Sequence, residues 1–163
     1  MKKPPYLLSG IILFGFGIYF LLQQYQFSLF NGFYSWPTLF LIVGIAFLIN
    51  GYGGKDYSFI FPGVLFTGIG IHFHIAQQLG GTIDFPGIFL LLISIGLLLS
   101  YIKTGNGLFQ GILFLAISLL LLFFDKLKEW LLHSGHKLVW IDQAWPYLLI
   151  VFGLYFLFFH KRK

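Results

Sequence analysis

Trp36-Pro37-Thr38-Leu39-Phe40-Leu41-Ile42-Val43-Gly44-Ile45 decides the fold. The stretch carries no charge, and its apolar character continues to Ile49 without alternating. A lipid-facing β-strand alternates apolar and polar residues, so a continuous run points to a helix that satisfies its own backbone inside a membrane. Pro37 fits the helix entry, where its missing N–H removes no hydrogen bond and its fixed φ is already helical. Similar runs flank it on both sides. The six stretches are Tyr6–Leu22, Trp36–Ile49, Phe59–Ala76, Phe85–Ile102, Leu108–Phe124 and Trp145–Phe159. The chain therefore reads as all-α, a polytopic transmembrane helical bundle of about six spans in a single transmembrane domain over residues 1–163.

Composition agrees. Of 163 residues 58% are hydrophobic and 9% charged. A soluble domain carries about 25% charged residues to wet its surface, so lipid is the main solvent expected here. Each run is short: seventeen helical residues reach about 25 Å, which predicts nearly upright helices. Aromatic residues at the ends (Tyr25, Phe33, Tyr34, Trp36, Trp130, Trp140, Trp145) suit the interfaces. Met1-Lys2-Lys3 before an apolar run resembles a signal peptide, but no small-residue cleavage site follows, and a retained first span is expected. Without cysteine, disulfides and thiolate metal sites are excluded.

Orientation follows from the basic residues. With alternating spans, Lys2, Lys3, Lys55, Lys103, Lys161, Arg162 and Lys163 fall on one side. Lys126, Lys128 and Lys137 fall on the other, beside Asp125, Glu129 and Asp142. The bias predicts a bacterial cytoplasmic-membrane protein with both termini in the cytoplasm. Topology accounts for the net charge of +5, so no nucleic acid partner is expected.

The spans also resemble one another. Gly10, Pro37, Gly63, Gly87, Gly111 and Pro146 are each followed seven residues later by a small residue: Gly17, Gly44, Gly70, Ser94, Ser118 and Gly153. Four spans open on an aromatic-proline pair: Trp36-Pro37, Phe61-Pro62, Phe85-Pro86 and Trp145-Pro146. Seven residues return to nearly the same helical face, and small residues let membrane helices approach closely. These six positions are the expected helix-packing residues of a repeated helix motif.

The sequence Trp36 to Ile45, with its counterpart Trp145-Pro146-Tyr147-Leu148-Leu149-Ile150-Val151-Phe152-Gly153-Leu154, resembles the LiaI–LiaF-like transmembrane region of bacterial envelope-stress proteins. The first hairpin, Gly10 through Asn50, is similar to that family's paired-helix unit, with degenerate copies over the rest. The resemblance implies a non-enzymatic scaffold or regulator that works with a sensor kinase or envelope-stress factor. Two departures stand out. After Phe159 the sequence gives only His160-Lys161-Arg162-Lys163, so no soluble domain is expected there, and more spans are expected than in a two-span scaffold.

Chemistry inside the spans is sparse. No Asp, Glu, Lys or Arg falls within an expected span, which argues against ion-coupled transport and intramembrane catalysis. His72 and His74, in Ile71-His72-Phe73-His74-Ile75, form the candidate intramembrane polar site. Residues two apart on a helix point about 200° away from each other, so one metal cannot take both imidazoles. The alternative reading is a small transporter or channel using either histidine; the bland one is a pair of neutral, hydrogen-bonded side chains. In the outer loop, His133 and His136 lack a full set of metal ligands, and Leu127, Trp130 and Leu131 suit a helix on the membrane surface. Gly53-Gly54-Lys55 is a turn, not a phosphate loop, and no cofactor is expected.

Overall fold

The computed structural model describes residues 6–80 and 85–133, together with 147, 150, 151, 153 and 154. The ordered elements are helices: α1 Tyr6–Gln24, α2 Trp36–Leu48, α3 Ile60–Leu79, α4 Phe85–Thr104 and α5 Leu108–His133. No strand occurs among the described residues. Tyr6–Gln24, Trp36–Gly53, Tyr57–Leu79 and Phe85–Thr104 are long and apolar enough to cross a membrane. The apolar part of α5, Leu108–Phe124, is shorter. The sixth expected span, Trp145–Phe159, lies mostly outside the described residues; those described within it are helical.

Local chemistry sets the helix ends. Ser35, in extended backbone at φ −135° and ψ 164°, precedes α2, and Pro37 occupies its first turn. Beyond Leu48 the chain widens into a π-helical turn, Ile49–Gly53, closed by the Gly54 N–H donating to the Ile49 carbonyl at 3.2 Å. A 3-10 turn, Tyr57–Phe59, then leads into α3. Between α4 and α5 the turn needs φ of +74° at Gly105 and +100° at Gly107, a region that glycine enters without steric cost. α5 runs past the expected end at Phe124 to His133. The reason is local, because Asp125-Lys126-Leu127-Lys128-Glu129 contains no breaker, and the next glycine is Gly135.

Two compact units divide the chain, Met1–Leu122 and Phe123–Lys163. In the first, α2 packs most extensively on α3, and α3 on α4. The α2–α3 pair is antiparallel in a fixed register. Leu41 meets Gly70, Gly44 meets Thr67, Leu48 meets Gly63 and Gly51 meets Ile60. Few large side chains are buried here, Tyr19 and Ile60 among them. Large apolar residues such as Leu13, Phe14, Phe20 and Phe109 are exposed instead. In lipid there is little hydrophobic drive between helices, so close backbone contact through small residues carries the association.

Candidate functional site

The expected packing residues fall into two groups. Gly44 is buried where α2 meets α3: a Cβ there would strike the Thr67 backbone nitrogen and hydroxyl, and stand 2.9 Å from the Phe66 carbonyl carbon. At Gly70 a Cβ would lie 2.7 Å from the Pro37 carbonyl oxygen. Ser94 is fully buried on α4, and its hydroxyl donates to the Gly111 carbonyl of α5 at 2.8 Å. Ser118 is fully buried too, but its hydroxyl donates within its own helix, to Leu115 O at 2.8 Å.

Gly17 and Gly153 stand apart, each exposed, with no described atom within 4 Å of an added Cβ. On α1 the close contact belongs to Gly15, where a Cβ would lie 2.6 Å from Ile42 Cγ2. Gly15 is two residues before Gly17, hence about 200° round the helix, so the Gly10–Gly17 stripe faces away from α2. Further close positions are Gly63 against Leu48, Gly68 against Leu92 and Gly96 against Phe61. Gly68 and Gly96 fall outside the seven-residue spacing, which explains why that spacing does not find them.

Among the described residues one buried hydroxyl has no partner. Thr67 Oγ1 is buried at the Gly44 crossing without a hydrogen bond. An orphaned buried polar atom is destabilising, so Thr67→Val is expected to be neutral or to stabilise the bundle by about 1 kcal/mol. Resistance to unfolding in mixed micelles measures it.

His72 and His74 sit on α3 and are both largely buried. They point to different neighbours, as their angular separation requires. The His72 ring packs on Phe85 of α4, with centroids 5.3 Å apart. His74 faces α2, where its Nε2 lies 2.9 Å from Thr38 Oγ1, and Phe30 meets its ring edge-on at 5.0 Å. The Thr38 hydroxyl also donates to the Phe33 carbonyl. Among the described residues no three His, Cys, Asp or Glu gather as a metal site.

Around His74 lies an aromatic cluster built from the α1–α2 connection. Phe33 packs edge-on against Phe30 and Tyr34 and at a tilt against Tyr19, with centroids 5.4, 5.1 and 6.0 Å away. The Tyr34 hydroxyl donates to the Phe27 carbonyl, and desolvation first, then Tyr19, holds its pKa above the usual 10.0. Gly32 closes the loop at φ +85°, with Gln77 Oε1 3.3 Å from where a Cβ would be. Valine suffers both the backbone strain and this contact. Gly32→Val is expected to cost about 1–3 kcal/mol and to open the loop, as faster proteolysis between Gln24 and Ser35.

Among the described residues of this unit, charge is confined to the opposite end. Within described residues 6–122, Lys55, Asp56 and Lys103 are the only Lys, Arg, Asp or Glu. Lys103 at the end of α4 lies 6.0 Å from the Tyr52 ring in the π-helical turn, which brings the basic groups of two connections to one end.

Residues 7–48 match the LiaI-LiaF-like transmembrane region. The match takes in α1, the aromatic loop and α2, which form the first hairpin; it does not extend to the Trp145 counterpart. Over its whole length the chain is similar to the uncharacterized membrane protein YsxD of Bacillus subtilis (strain 168). The two are 27% identical over 161 residues, which cover 99% of this chain and 98% of that protein. No solved structure matches the chain. A membrane protein with several apolar helices is what the helices and the comparisons together establish.

Proposed function

We propose that the chain is a non-enzymatic, multi-pass scaffold or regulator of the bacterial cytoplasmic membrane, serving the envelope-stress response through helix–helix contacts. The match of residues 7–48 to the LiaI-LiaF-like region carries the reading. It is supported by how the helices associate: the α2–α3 and α4–α5 crossings rest on Gly44, Gly70, Ser94 and Gly111, and leave large apolar faces free for lipid or other helices. The repeated helix motif, six spans and cytoplasmic termini belong to the same proposal. Lys55 and Lys103 at one end of the unit favour that end as cytoplasmic. The partners are the lipid bilayer and a membrane protein such as a sensor kinase or envelope-stress factor.

The experiment is a transcriptional reporter of envelope stress in cells lacking the protein, challenged with a cell-wall antibiotic. The proposal expects an altered response, restored by the wild-type chain and not by Gly44→Leu. An unchanged response in the deletion strain would sink it.

A further inference from the structure

Residues 25–35 leave the apolar helices but do not have the makeup of a water-facing loop. They contain no charged residue, and Tyr25, Phe27 and Leu29 are 75%, 56% and 64% exposed. Several backbone groups are satisfied locally. The amides of Gln26, Phe27 and Phe33 donate to the carbonyls of Gln23, Leu22 and Phe30 at 3.1, 3.0 and 3.1 Å. The hydroxyls of Tyr34, Ser35 and Thr38 donate to the carbonyls of Phe27, Gly32 and Phe33. Non-helical backbone tolerates membrane depth only when its polar groups are met, and aromatic rings prefer the boundary between headgroups and acyl chains.

The hydrogen bonds at Thr38 also settle a tautomer. A carbonyl can only accept, so the single hydroxyl proton of Thr38 is committed to Phe33 O. The nitrogen facing that oxygen must then donate, and His74 carries its proton on Nε2. A directed relay results: His74 Nε2–H to Thr38 Oγ1–H to Phe33 O. It ties α3 to α2 and α2 to the loop, with Phe30 of the loop closing on the His74 ring.

We propose that residues 25–35 are a loop seated in the bilayer interface, held in its fold by this relay, with His74 as the positioning residue. The occupant of the exposed aromatic surface is the headgroup–acyl boundary of the lipid.

The chain has no cysteine, so a single label can be placed without altering other residues. A nitroxide on Leu29→Cys in phosphatidylethanolamine–phosphatidylglycerol vesicles is read by power saturation with oxygen and with a water-soluble nickel chelate. Asn106→Cys, in the exposed α4–α5 turn, serves as the aqueous reference. Oxygen-accessible, nickel-shielded behaviour at position 29 is expected; nickel access equal to that at position 106 overturns the lipid seat. Adding His74→Leu should raise nickel access about threefold or more, the population change that losing an interhelical bond of ordinary strength allows. His74→Gln, which keeps a donor at the right reach, should restore the parent value. If His74→Leu does not fold, Thr38→Val reads the same relay. No change in the variant that folds, or a His74→Gln chain that behaves like His74→Leu, overturns the role of His74.

Discussion

Gly44→Leu drives α2 and α3 apart and destabilises the bundle at the upper end of the roughly 1–3 kcal/mol typical of overpacking. The neighbour is what makes this change so damaging. An added Cβ meets the backbone of Phe66 and Thr67, which cannot swing aside as a flexible side chain can. Even alanine has to separate the helices, and the contacts of Gly70 and Gly63 lie on the same seam. Reversible unfolding in mixed micelles measures the loss. Gly17→Leu is the control, since its Cβ enters open space and little change is expected. Equal losses from the two variants would mean that the seam does not carry the packing.

Ser94→Leu has the second large effect, at the α4–α5 crossing. Ser94 is fully buried, and its hydroxyl reaches the Gly111 carbonyl across the helices. Alanine at this position removes only the bond, about 0.6–2 kcal/mol in a membrane helix pair. Leucine loses the bond and overfills the crossing as well, for a total of about 2–5 kcal/mol. The order wild type, Ser94→Ala, Ser94→Leu is the outcome to look for in the same unfolding assay. A leucine variant as stable as the alanine one would place the crossing further apart than described.

Much of this architecture is legible in the residues themselves. The uncharged run from Trp36 to Ile49 announces a helix because only an internally bonded backbone survives in lipid, and Pro37 marks where it begins. The opposite directions of His72 and His74 follow from helical geometry alone. What stays hidden is pairing across distance. The bond between His74 and Thr38 joins residues 36 positions apart, and no local pattern links them. The α1 stripe shows the same limit. Gly10 and Gly17 share the phase of the other spans, yet the face that meets α2 carries Gly15 and not Gly17, because the rotation of a helix is chosen by its neighbour. The π-helical turn at Ile49–Gly53 has no signature in the glycine spacing either; it is where Gly51 comes against Ile60.

The role of the two histidines separates the scaffold from its rival. In the described fold each imidazole is engaged in packing, His74 with Thr38 and Phe30, His72 with Phe73 and Phe85. A scaffold needs nothing more of them. A transporter needs at least one to meet a substrate.

Cross-linking in the native membrane followed by co-purification and identification of what is joined to the chain tests the scaffold most directly. The account predicts reproducible recovery of a sensor kinase, an envelope-stress factor or a cell-wall enzyme. Recovery of the chain alone or only with its own copies, together with proteoliposome transport abolished by His72→Ala or His74→Ala, would contradict it.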